Sequence, residues 1–154
     1  MRIGEYSKFG VSYRETYENC FAAEFEFMRI RNADDTFRVD EDGKYLCVGL
    51  EFGDGWLELV YDMCCDLRTL YKDTPFTILQ VKEKFGLLRV YADTYIESVE
   101  KIFEEYEQLS KTICMNCGVA STPENPVYYE KKSGWIGYMC KGCWDERTNW
   151  RGNR

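Results

Sequence analysis

Two Cys-x-x-Cys pairs near the carboxyl end, Cys114/Cys117 and Cys140/Cys143, constrain this chain more than any other feature of its sequence. Each pair sets two sulfurs on one tight knuckle, and the 22 residues between Cys117 and Cys140 leave room for a hairpin that brings the knuckles together. Gly118 follows the first pair and Gly142 lies inside the second, which suits a backbone that turns sharply and aims its amides at sulfur. Residues 127–129 and 135–139 are β-compatible, with 131–134 as the tip between them. The spacing therefore predicts a zinc ribbon over residues 114–154, with one structural Zn²⁺ held by Cys114, Cys117, Cys140 and Cys143. Four sulfurs close a tetrahedral shell and leave no position for a reactive water, so such an ion stabilises the fold.

The remaining cysteines, Cys20, Cys47, Cys64 and Cys65, form no such motif. A disulfide framework would need an oxidising compartment and a signal to reach one. Residues 1–10 are polar and charged, with no apolar segment after them, and no run approaches the roughly 18 apolar residues that span a bilayer. The expectation is a cytoplasmic chain with reduced thiols, in which Cys64 is a core residue.

At 154 residues, 45% of them hydrophobic, the chain can bury one real core, and a single compact unit is expected. Its formal charge of −7 is unevenly spread. Residues 1–113 carry 14 basic and 23 acidic side chains, whereas residues 114–154 carry 6 and 4. The first part is an acidic body; the second, with four thiolates and a divalent ion, falls near neutrality and advertises no phosphate-tracking surface.

Periodicity outlines the body. Apolar residues at 13, 17, 20, 21, 25 and 28 fit a helical stripe over 13–30, although the FEFM end also alternates like a strand. Residues 32–44 are dominated by turn formers and read as a loop or exposed hairpin. Residues 45–52 are strand-like, and Gly53, Asp54 and Gly55 then introduce a helix whose stripe runs through Trp56, Leu59, Val60, Met63, Cys64, Leu67 and Tyr71, with Asp54 as its cap. Residues 76–81 and 87–91 predict a hairpin joined by 82–86. Thr94 to Glu97 has the capping-box pattern, and a second helix continues along Ile96, Val99, Phe103, Tyr106, Ser110 and Ile113 into Cys114.

The chain contains no histidine, which removes Ser-His, Cys-His and His-ligated catalytic arrangements, so no enzyme is expected. Gly53 to Gly55 before a helix resembles a phosphate cradle, but Asp54 would repel the ligand and neither a P-loop nor a dinucleotide fingerprint is present. Candidate binding residues are the basic group Lys82, Lys84 and Arg89 with Phe85 among them, and the ribbon aromatics Trp135, Tyr138 and Trp144. Tyr128, Tyr129 and Trp150 join that aromatic cluster, where cover for a small ribbon and an exposed recognition surface are both open readings. The glutamates at 97, 100, 104, 105 and 107 read first as a solvated helix face.

Four segments, GLEFGDGWLELVYDMC (49–64), QVKEKFGLLRVY (80–91), CMNCG (114–118) and GWIGYMCKGC (134–143), together resemble a family of uncharacterised bacterial and bacteriophage proteins. That family is marked by a GDGW helix start, a VKEKFGGLRFY hairpin and a closing zinc ribbon. The resemblance implies a phage or prophage setting and zinc on the four matched cysteines, and it supplies no activity. Leu87 stands where the family motif has its second glycine and Val90 where it has phenylalanine, and residues 1–48 lie outside the match.

The fold expected is α+β: an antiparallel hairpin or small sheet packed by two amphipathic helices, with a carboxyl-terminal four-cysteine zinc ribbon. The function expected is that of a non-catalytic zinc-containing binding protein of phage or prophage type. It would engage a bacterial host or phage protein, such as one of a nucleic-acid-handling complex, with inhibition of a host defence system as the candidate role. The alternative is a nucleic-acid-binding regulator acting through the ribbon's lysines, Arg147, Arg151 and aromatics.

Overall fold

A computed structural model describes residues 13–132 and 134–152 of the chain, with the backbone alone from residue 147 onward. Helix α1, Tyr13–Glu24, buries Phe21 and Ala22 and is shorter than its stripe predicts. A helix continued to residue 30 would bury Phe25 and Met28 but turn Phe27 away from them, since each residue rotates the chain by about 100°. Instead the chain tightens into one 3₁₀ turn, Glu26–Met28, and then extends, which puts Phe25, Phe27 and Met28 all in the core. The Arg29 guanidinium donates to the carbonyl of Ala22 at 2.7 Å, satisfying one of the carbonyls freed where α1 ends.

Residues 28–48 fold back as an irregular hairpin. Val48 N–H donates to Met28 O and Ile30 N–H to Leu46 O, and the bridges Arg31 to Phe37 and Val39 to Tyr45 lie further out. The expected strand over 45–52 is thus divided: its first part pairs with residues 29–30, and only β1, Leu50–Glu51, enters the main sheet. There it lies parallel to β2, Ile78–Lys84, with Leu50 opposite Val81. The parallel pairing becomes possible because α2, Leu57–Tyr71, makes the crossover between the two strands. The antiparallel partner of β2 is β3, Leu87–Ala92, so the three strands stand in the order β1-β2-β3.

Helix α2 turns Leu59, Val60, Met63, Cys64 and Leu67 into the core, as its periodicity predicts, and buries Leu57, which lies outside the predicted stripe, as well. Helix α3, Glu97–Ser110, packs on α2 and β3 through Val99, Phe103 and Tyr106. Two capping expectations fail. Asp54 makes no cap bond to α2; its carboxylate receives the Arg14 guanidinium at 2.8 Å, and a 3₁₀ turn, Asp54–Trp56, leads into the helix instead. Thr94 lies too far upstream of α3, whose N-cap position is Ile96 with no side-chain cap bond. Among the described residues no helix is long and apolar enough to cross a membrane.

After α3 the chain turns over residues 111–113, enters the first cysteine knuckle, and forms the two-stranded ribbon β4, Val127–Lys132, with β5, Trp135–Cys140. Helix α4, Lys141–Gly152, follows directly.

Candidate metal centre

The first knuckle is closed by Gly118, whose N–H donates to Cys114 O at 2.9 Å while its φ of +81° lies in the left-handed region that glycine adopts without strain. Cys140 ends β5 and Cys143 falls in the first turn of α4, so the second pair spans a strand-to-helix junction. Gly142 therefore makes no sharp turn of its own, contrary to expectation; it is an ordinary helical residue with open space where a Cβ would stand.

The arrangement brings the four predicted sulfurs within 4.8 Å of one another, with Cys117 Sγ 3.8 Å from Cys140 Sγ and every thiol free. Cys114, Cys140 and Cys143 are buried, while Cys117 is exposed and opens the site to solvent. Burial pushes the Cys114 thiol up, but the backbone amides of Cys117, Cys140 and Asn116 outweigh it and bring it down to about 7. Burial holds Cys117 and Cys143 above the ordinary thiol range. Asn116 Nδ2 donates to Cys143 Sγ at 3.3 Å, a partner of the kind that orients a metal ligand. Four sulfurs converging at this spacing have the ligand set and geometry that could hold a metal ion.

The site is stitched to the body by the segment that reads in sequence as a turn or phosphate cradle. Gly55 N–H donates to Met115 O at 3.0 Å, and the buried Trp56 indole donates to Ile113 O at 3.0 Å. A Cβ on Gly55 would stand 2.2 Å from Cys114 O, and one on Gly53 2.3 Å from Met115 O. These glycines exist to let two backbones touch, and the carbonyls facing them would repel a phosphate. Met115 in turn donates its N–H to Tyr138 O of β5 at 3.1 Å, so the knuckle lies between body and ribbon and bonds to both. Gly53, Gly55, Trp56, Met115 and Asn116 thus support the site. The two closely spaced glycines before a tryptophan were the signal for the first three; nothing in the sequence marks the last two.

A second contact joins the units at the β2–β3 turn. Phe85 and Gly86, at φ of 54° and 84°, form a two-residue turn with both central residues left-handed, and Glu83 accepts the Gly86 N–H at 2.6 Å. A Cβ on Gly86 would approach Gly137 Cα of β5 to 2.9 Å. The turn is therefore shorter than the 82–86 connection expected, and Lys82 and Lys84 belong to β2.

Of the candidate binding residues, Lys82 and Arg89 are cross-strand partners and Lys84 lies two residues along on the same face. Arg89 is engaged by Glu107 at 2.9 Å. Phe85 is 70% exposed and Trp135 37%. Tyr138 is half-buried, its ring 5.4 Å from that of Tyr129. Trp144 is a correction: at 1% exposed, with its indole donating to Tyr128 O at 3.3 Å, it is a core residue of the ribbon and presents no surface. The side chains of Arg147, Trp150 and Arg151 lie outside the described residues. No family profile, curated protein or solved structure matches the chain, so the geometry of the site and its surroundings is what speaks to function.

Proposed function

We propose that this chain is a non-catalytic zinc-bearing binding protein of phage or prophage type that engages a bacterial host protein, and that inhibition of a host defence system is its role. Zinc is the ion assigned to the centre because tetrahedral coordination with Zn–S bonds near 2.3 Å places sulfurs about 3.8 Å apart, and a closed four-sulfur shell suits a structural ion. The resemblance of four segments to bacterial and bacteriophage proteins supports the setting, and with it a place in the bacterial cytoplasm.

One observation carries the binding reading. Phe85 is a bulky residue held at positive φ with its ring in solvent. Left-handed backbone costs a non-glycine residue about 1–2 kcal/mol, and an exposed ring returns nothing to the fold, so the strain serves another end. Gly86, seated on β5, and Glu83, bonded to the turn, fix the backbone that carries that ring beside the zinc ribbon. A rigid aromatic flanked by Lys84 has the character of an interface anchor.

The test is affinity capture from nuclease-treated and untreated bacterial lysate with the wild type and with Phe85→Asn, which suits the turn better. One protein recovered near stoichiometry by the wild type, indifferent to nuclease and lost with the variant, is the expected result. Recovery of nucleic acid, with everything else vanishing after nuclease, would overturn the reading in favour of a nucleic-acid regulator acting through the ribbon.

A further inference from the structure

The outer edge of β3 is open. In the order β1-β2-β3 it is a terminal strand, and among the described residues no strand pairs with its far side. Leu88 shows which groups point that way: its N–H turns from β2 and donates to Ser110 Oγ at 3.2 Å. The two-residue period of a strand then aims the N–H and C=O of Val90 in the same direction, beyond the reach of Ser110. Helix α3 approaches the edge most closely at its carboxyl end, through Ser110 and the Arg89–Glu107 ion pair, and a groove of about 500 Å³ runs between helix and strand from Leu88 to Tyr95, with Arg89 and Glu107 in its lining.

That groove has a hydrogen-bonding wall, a partly apolar floor and an acidic rim. Val90 and Ala92 contribute the strand, Phe103 lies below, and Tyr95 stands 76% exposed at the mouth. Glu100 and Glu104 line the helix side, and among the described residues neither has a cation within ion-pair distance. Burial holds the Glu100 carboxyl above its ordinary range, and the neighbouring Glu104 adds a smaller repulsion that an incoming cation would relieve.

The geometry points to a peptide-docking groove: an extended, lysine- or arginine-bearing segment of a partner protein adds as a strand to the open edge of β3, its cations meeting Glu100 and Glu104. Main-chain bonds to Val90 supply the pairing, and the carboxylates choose the charge. A second copy of this chain is a poor occupant, since it would set acidic helix against acidic helix. Phe85 is not among the residues that line the groove, so this inference stands apart from the surface proposed above.

The experiment titrates the full chain, with fluorescence anisotropy, into a labelled peptide alternating valine and lysine. Controls are the same peptide N-methylated at alternate residues and a valine–glutamate peptide. The lysine peptide is expected to bind, with both controls failing. Val90→Pro, tolerated where an edge N–H faces solvent, should weaken it by about tenfold or more. The E100Q/E104Q double variant should weaken it about fivefold and flatten its salt dependence. Phe85→Asn should leave it unchanged, which separates this groove from the proposed binding anchor. Equal binding of the N-methylated peptide, or wild-type affinity in E100Q/E104Q, would overturn the inference. So would a dimer of the wild type, seen by sedimentation, that Val90→Pro dissolves.

Discussion

The body and the ribbon are held together by different physics. In the body, α1, α2, α3 and the sheet enclose a continuous cluster of rings and aliphatic chains, Phe21, Phe25, Phe27, Trp56, Met63, Leu67 and Leu88 among them. The ribbon adds only a few buried side chains to that cluster, chiefly Val127, Met139 and Trp144 beside the cysteines. Two strands alone are marginal in water, and so small a core cannot offset the entropy of ordering the segment. A cation bound to the four sulfurs would make up the difference. The contrast teaches where each region is vulnerable: the body to lost volume, the ribbon to a lost ligand, and their junction to a single added carbon.

The largest effect expected is that of Cys117→Ser. A structural zinc contributes on the order of 10 kcal/mol to a small domain, so the variant should lose its equivalent of metal and the amide-exchange protection of residues 114–146 while α2 keeps its own. Retained zinc by elemental analysis, with an unchanged melting curve, would break the comparison. Phe27→Ala probes the other side. Removing a fully buried ring costs about 3–5 kcal/mol, which should lower the melting temperature while metal content stays at one equivalent in the folded protein.

Gly55→Ala sharpens the comparison at the junction. The added Cβ would lie 2.2 Å from Cys114 O and 2.6 Å from Gly118 N, both backbone atoms that can yield only by moving the knuckle. A loss of about 1–3 kcal/mol is expected, together with faster release of zinc to a chelator. A normal chelator rate would show that the body does not support the site. The smallest effect belongs to Phe85→Asn, which creates an Asn-Gly turn and should raise stability by about 0.5–1 kcal/mol in denaturant titration. A loss of stability would mean that the ring packs and carries no strain.

The metal centre was legible in the chain because its signal is local: cysteine pairs at fixed spacing make knuckles wherever they fall. Helices α2 and α3 were legible for the same reason, each repeating one apolar face over several turns. What failed was what depends on a neighbour. Helix α1 stops early because Phe27 has a core to reach, and Asp54 leaves its capping role because Arg14 lies beside it. For Trp144 the sequence leaves cover and recognition both open, since exposure is not written in a residue's identity, and only packing decides for cover. The two glycines of the GDGW segment were visible as punctuation, but their purpose was not.

By itself, then, the sequence determined the α+β class, the four sulfur ligands and the apolar faces of the central helices, because each is a pattern of residues close together along the chain. Tertiary structure alone decided that β1 pairs parallel to β2, that the knuckle rests on Gly53 and Gly55, and that β3 keeps an open edge beside acidic α3. Each of these is a meeting of segments far apart in sequence, where hydrogen bonds and close backbone approach are set by three-dimensional packing and by no local propensity.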